Sequence, residues 1–264
     1  MGRLEQNSDT MANELKDTFA LVTGASSGIG EATALALAER GANVAILARR
    51  RDRLEALAEK LRGLGVTALA LEADVTDAAQ ARDAIERTVS TFGRLDTLVN
   101  NAGVMLLGPI VDAPSEEWDR MIDLNVSALL HCTHAALPHL LEAATKEPRY
   151  VADLVNISSV AGRVARSGSG VYNASKWAVN AFSESLRQEV TKRHLRVSLI
   201  EPGAVTTELS SHNRPEIQTM IAQRFGNLER LQAEDIADAI AYVVTRPRHV
   251  AINEVLIRPT EQEL

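Results

Sequence analysis

From Phe19 onward the chain alternates short apolar runs with longer stretches whose apolar residues recur at helical spacing. That alternation is the pattern of βαβ units around a parallel sheet, since parallel strands need a crossover of helical length between them. "FALVTG" leads into "GEATALALAERG", a predicted helix closed by Gly41, and "NVAILA" leads into a helix with Leu54, Leu57, Ala58 and Leu61 at i, i+3, i+4 and i+7. "VTALALEAD" predicts a third strand, and after Asp77 the residues Ala81, Ala84, Ile85, Thr88, Val89 and Phe92 mark another buried helical face. "LDTLVNNAG" predicts a fourth. A long helix is expected after Pro114 and Ser115, with breaks only around Pro138 and at Pro148. The fifth strand, "YVADLVNISS", carries an odd mid-strand acid, Asp153. A helix from about Val171 to Arg193, a sixth strand "RVSLIEPG", a long segment from Ala204 to Arg230, a helix after Gln232 and a short strand "NEVLIRP" complete the pattern.

No linker, repeat or low-complexity segment interrupts this order, so the 264 residues are expected to form one α/β domain: a Rossmann-type, doubly wound parallel sheet of about seven strands. At 45% hydrophobic and 24% charged the composition is ordinary for a globular chain, and this length buries about three quarters of its unfolded surface. A net charge of −7 without a basic run of five or more excludes the electrostatic footprint of a nucleic-acid binder. The one cysteine, Cys132, rules out an intramolecular disulfide and fits a reducing compartment, with the cytoplasm as default. No apolar stretch reaches the ~18 residues of a membrane span. Residues 1–16 are expected to be a disordered lead-in, with Met11 as an alternative start, and residues 17–264 the folded domain.

The stretch "LVTGASSGIGEA", residues 21–32, sets three glycines and two serines between a strand and a helix. A helix start offers unpaired N–H groups and the positive end of the helix dipole, a seat for phosphate if the backbone can come close. Gly24, Gly28 and Gly30 leave that approach bare, and Ser26 and Ser27 add hydroxyl donors. The spacing is GxxxGxG rather than the common GxGxxG, and a tight turn with no ligand would read the same. The second strand, whose end in such folds reads the adenosine ribose, closes on "ILARRR". Ala48 stands where an acid would accept from the 2′-hydroxyl of NAD; Arg49 and Arg50 match the 2′-phosphate of NADP instead. The alternative is a solvated basic turn pairing with Glu55 or Asp52.

Further on, "GVYNASKWAVNAF" sets Tyr172 and Lys176 four residues apart, on one face of a helix. A phenol with a pKa near 10 is a poor proton donor or base at neutral pH; about 4 kcal/mol of differential stabilisation brings it there, and a neighbouring lysine cation acts in that direction.

These pieces fall in the order and spacing of one family. "TGASSGIG" (23–30), "ADV" (73–75), "NNAG" (100–103), "DLN" ending at Asn125, "NISS" ending at Ser159, "YNASK" (172–176) and "EPGAVTTEL" (201–209) resemble the short-chain dehydrogenase/reductases in their single-domain form. The resemblance runs from about Phe19 to the last strand. It implies a catalytic set of Asn125, Ser159, Tyr172 and Lys176. In it Tyr172 is general acid in carbonyl reduction and base in alcohol oxidation, and Lys176 lowers the pKa of Tyr172 and holds the nicotinamide ribose. Ser159 binds the substrate oxygen, and Asn125 holds a water leading from Lys176 to solvent. NADP(H) is the implied cofactor. Gly24, Ser26, Ser27, Gly28, Ile29 and Gly30 would seat its phosphates, Arg49 and Arg50 its adenosine ribose, and Asp74 and Val75 its adenine. Asn101, Ala102 and Gly103 would line the groove, while Pro202, Gly203, Val205 and Thr206 close over the nicotinamide end beside Tyr172 and Lys176.

At finer grain "NNAGVMLLGP", "ALPHLL", "IEPG" and "IRPT" resemble a subgroup of NADP-dependent reductases of the clavulanate dehydrogenase kind. The substrate implied is a small or medium aldehyde or ketone, including an aldehyde on a bicyclic β-lactam, with a lid at about 204–230 choosing it. The alternatives are a 3-oxoacyl thioester reductase and a catalytically silent NADP-sensing protein, which would usually break the Ser/Tyr/Lys set. His131, Cys132 and His134 look metal-like, yet nothing nearby completes a set of ligands, and no metal is expected. Trp177 is expected to point away from the cofactor. His212 and Arg214 in the lid, and Arg163 and Arg166 after Ser159, read equally as solvated groups or as partners for a substrate carboxylate. The two long helices are apolar on more than one face, which suggests a subunit interface. A homotetramer is expected, with a dimer as the alternative.

Overall fold

The computed structural model describes residues 13–111 and 113–263, less the side chains of residues 224 and 225. Seven parallel strands form one sheet: β1 (Phe19–Thr23), β2 (Asn43–Ala48), β3 (Ala68–Glu72), β4 (Thr97–Asn100), β5 (Ala152–Ile157), β6 (Leu195–Pro202) and β7 (Glu254–Ile257). Their order is β3-β2-β1-β4-β5-β6-β7. The order in which strands are added reverses between β1 and β4, which run parallel, and in open α/β sheets ligands bind outside the carboxyl ends of the strands at such a switch point.

Because alternate residues of a strand face opposite ways, each strand feeds two cores. Val22, Val44, Ile46 and Val155 pack against α1 (Gly28–Glu39), α2 (Arg51–Gly63) and α8 (Ala233–Val244), through Leu37, Leu54, Leu57, Ile236 and Ile240. Leu21, Leu47, Leu98 and Leu154 face α3 (Ala78–Phe92), α5 (Ala128–Ala143) and α6 (Gly170–Val190), through Ile85, Leu140 and Leu186. Helix ends follow local chemistry. The Asp77 carboxylate accepts from the amides of Ala79 (2.8 Å) and Gln80 (3.2 Å) to start α3, and Gly93 at φ 81° ends it in the left-handed conformation that glycine takes without cost.

Two expectations change. Residues 1–12 lie outside the described residues, but within 13–16 the chain is ordered: Leu15 is fully buried and its amide donates to the Arg40 carbonyl at 2.8 Å. The helix after Pro114 also breaks elsewhere than at its proline. It divides into α4 (Ser115–Ile122) and α5 across a wide π turn, Asp123–Ser127, while α5 runs straight through Pro138. A π turn inserts an extra residue into the helical ladder. This one carries Asn125, whose side chain finds backbone partners outside the helix.

Asp153 is also accounted for. It pairs in register with Arg196 of β6, which donates from Nε (2.7 Å) and Nη2 (3.0 Å), and Arg149 donates to it at 2.9 Å. Arg196 further donates to the carbonyls of Val244, Arg246 and Val250, so one buried guanidinium ties two central strands to the end of α8 and the loop beyond.

Candidate active site

The glycine turn leaves β1 at the switch point. A Cβ on Gly24 (φ 66°) would lie 2.8 Å from the Ala102 Cα, and one on Gly28 (φ 57°) would meet the Thr207 methyl at 3.1 Å. Both positions combine positive φ with close approach, so only glycine fits. Gly30 does a different job: a Cβ there would strike the Gly24 carbonyl and the Asn101 amide, so it lets α1 pack on the turn and does not face the cavity. Asn101 fastens the turn by donating to the carbonyls of Thr23 (2.9 Å) and Gly24 (3.2 Å), and the Thr23 hydroxyl accepts from the amides of Asn101 and Ala102.

Above this turn opens a cavity of about 440 Å³. Gly24, Ser26, Ser27, Gly28 and Ile29 line one end with Arg49, Arg50, Asp74 and Val75; Asn101, Ala102 and Gly103 form its floor. Arg49 lies 3.7 Å from Asp74, and Arg50 donates to the hydroxyls of Ser26 (2.8 Å) and Ser27 (2.7 Å). Arg51 turns out to solvent and pairs with Glu55, as in the solvated reading, and Arg49 is itself exposed. The bare backbone, two hydroxyls and two cations of this end suit a phosphorylated ligand.

Ser159, Tyr172 and Lys176 meet at the other end, beneath Pro202, Gly203 and Val205. Ser159 follows β5 and begins a single 3-10 turn, its Oγ accepting from the Ala161 amide at 3.1 Å. Tyr172 and Lys176 lie one turn apart on α6, both buried, with Nζ 5.9 Å from the phenol ring centre. Ser159 and Tyr172 both line this end of the cavity. Lys176 Nζ donates to the Ile157 carbonyl at 2.9 Å, and burial pushes its pKa down to about 8. Burial raises the Tyr172 phenol above its ordinary value against the smaller opposing effect of Ser159. Burial dominates this shift, and the lowering by Lys176 that the spacing implied is not among its causes.

Asn125 lies behind the cavity wall. Its Oδ1 accepts from the Val104 amide (2.8 Å) and its Nδ2 donates to the Val104 carbonyl (2.9 Å) and Ser175 Oγ (3.1 Å), so it fixes the segment after β4 that carries Gly103. Thr206 is also corrected. It is exposed and bonded through its amide to Leu231, whereas its neighbour Thr207 lines the cavity. The segment expected to act as the lid holds the 3-10 turn Glu208–His212 and α7 (Pro215–Phe225). His212 and Arg166 border the cavity; Arg214 is held outside by Glu117 (3.0 Å) and Glu216 (3.1 Å), and Arg163 by Glu201 and Glu254. Trp177 points away, half exposed.

Several positioning groups escaped the sequence reading. Buried Asn173 donates to the carbonyls of Ala161 and Val164 and so shapes the loop between Ser159 and Tyr172. Buried Glu201 takes two bonds of 2.7 Å from Arg163 and one of 2.8 Å from Asn180, joining the ends of β5 and β6 to α6. The signal available for Glu201 was an acid inside an apolar strand. Asn213 pins the lid by accepting from the Leu107 amide (2.7 Å) and donating to the Met105 carbonyl (2.9 Å). Nothing in its loop sequence marks it. Among the described residues no three metal-ligating side chains cluster, and no helix is long and apolar enough to cross a membrane.

Comparison with known proteins agrees with this architecture. Residues 18–218 match the family described as short chain dehydrogenase. An uncharacterized oxidoreductase of Staphylococcus epidermidis is 37% identical over 246 residues, covering 93% of this chain and 99% of the relative. Among solved structures, a serine dehydrogenase complexed with NADP+ superposes with a TM-score of 0.83 at 33% identity, covering 94% of this chain and 97% of the other. An alcohol dehydrogenase of the archaeon Thermococcus sibiricus, complexed with 5-hydroxy-NADP, gives 0.82 at 27% identity, with 94% and 98% covered. The chain belongs to the short-chain dehydrogenase family of oxidoreductases.

Proposed function

We propose that the protein reduces a small or medium aldehyde or ketone with NADPH, and in reverse oxidises the alcohol with NADP+, with Tyr172 as the general acid and base. The observation that carries this reading is that Ser159, Tyr172 and Lys176 together line one end of the cavity whose other end is the glycine turn with Arg49 and Arg50. NADPH, when bound, supplies the hydride. A carbonyl oxygen in the Ser159–Tyr172 corner meets two O–H donors, which stabilise the negative charge that develops on it. Tyr172 then gives its proton to that oxygen. The burial that raises the phenol keeps it protonated at neutral pH, the form that carbonyl reduction needs. Lys176 still carries its proton at pH 7, and its cation favours the tyrosinate left behind.

NADP rather than NAD is supported by Arg49 and Arg50 at the end of β2, where no acid stands for a free 2′-hydroxyl, and by the NADP forms bound in the similar serine and alcohol dehydrogenases. We also infer a cytoplasmic homotetramer. The lone buried cysteine supports the compartment, and the exposed Ile122 on α4 and Trp177 on α6 support the assembly.

Replacing Tyr172 by Phe removes the proton donor and leaves the groove intact. Turnover is expected to fall by about 10²- to 10⁴-fold while NADPH still binds. NADPH oxidation followed by absorbance over aldehydes, ketones, a bicyclic β-lactam aldehyde and acetoacetyl thioesters tests both the mechanism and the substrate class. A fully active Tyr172→Phe enzyme sinks the mechanism.

A further inference from the structure

The segment after Pro202 reaches the adenosine end of the groove as well as the reacting end. Thr207 lies on the glycine turn, and Glu208 begins the 3-10 turn of the lid. The two oxygens of the Glu208 carboxylate are divided between two arginines: Oε2 accepts from Arg50 Nη1 at 2.8 Å and Oε1 from Arg53 Nη1 at 2.7 Å. In the same pose Arg50 donates to Ser26 and Ser27. Both arginines hold the Glu208 carboxyl down at about 2, so it is an anion throughout the working pH range. The groups set out for a phosphate therefore already hold a negative charge, and the chain itself provides it. Asn213 fastens the same lid independently to residues 105 and 107. Arg214 adds a further tie to Glu117 of α4, and of these ties only that of Glu208 overlaps the ligand groups.

We propose that Glu208 is a specificity-determining residue whose carboxylate stands in for the 2′-phosphate at Arg50, so that NADP must displace it and loosen the lid, whereas NAD need not. This rests on the cofactor reading above. A ligand shifts a conformational balance only by its difference in affinity for the two states, and here that difference is the 2′-phosphate competing for Arg50. Glu208 consequently weakens NADP binding, trading affinity for a lid that responds to the phosphorylated cofactor.

The test is calorimetric binding of NADP+ and NAD+ to the full chain and to E208Q, which removes the charge of an exposed side chain and keeps its size. E208Q is expected to bind NADP+ about five-fold more tightly, the scale of two exposed ion pairs, with NAD+ binding unchanged. In an Arg50→Ala background E208Q is expected to bring no gain. Unchanged or weaker NADP+ binding by E208Q, with NADP+ still preferred over NAD+, overturns this inference and leaves the cofactor reading standing. If neither protein prefers NADP+, the cofactor reading falls and the inference falls with it.

Discussion

Lys176 has two ionisation states within reach of ordinary conditions. Burial brings its pKa from the usual 10.5 to about 8, so the folded protein releases this proton while the unfolded chain still holds it. Between those values the unfolded state binds more protons, and this group's contribution to stability rises with pH; below pH 8 the buried charge costs stability. Activity follows the opposite sign. Above about pH 8 the cation that favours the Tyr172 anion is lost, and kcat/KM for carbonyl reduction is expected to fall, with the descending limb read from a pH profile. The pairing of Tyr172 with Lys176 was legible from their spacing of four. The direction of the phenol's shift was not, because it depends on how deeply α6 sinks its face, which the sequence does not measure. The same limit explains Thr206 and Thr207: adjacent residues project to different sides, and the path of an irregular segment decides which one meets the cavity.

At the scale of elements, short apolar runs and helical patterns located all seven strands, because the inner strands are apolar on both faces between two layers of helices. The π turn at 123–127 was not legible. It carries a side chain, Asn125, that exchanges hydrogen bonds with Val104, a partner 21 residues away. Asp153 looked out of place in its strand for a related reason, since its partner Arg196 lies on the neighbouring strand. Asp153→Ala is expected to destabilise by about 3–5 kcal/mol, because it leaves two guanidinium groups in the interior without their counter-ion. For a chain of this size that lowers the melting temperature by roughly 10 °C, measurable by calorimetry or circular dichroism. A companion Arg196→Met change on the Asp153→Ala background is expected to recover part of the loss, since the larger penalty lies in the unpaired charge.

Across the whole molecule, the sheet brings residues from the ends of β1, β2, β4, β5 and β6 into one groove, and α4 and α6 keep apolar side chains outside. Trp177 is 51% exposed, one residue after Lys176 on α6. A face of this kind that becomes buried between subunits would hold α6 rigid. Light scattering is expected to give four chain masses for the wild type and a smaller species for Trp177→Glu. The buried guanidinium of Arg196 has a consequence of another kind. Synthesis proceeds from the N-terminus, and Asp153 emerges well before β6, with only nearby Arg149 to answer its charge. The middle of the sheet therefore lacks its main counter-ion until residue 196 arrives, and the loop at 244–250 that completes the guanidinium's bonds arrives later still. The nascent chain has to wait for its last third before its centre can close.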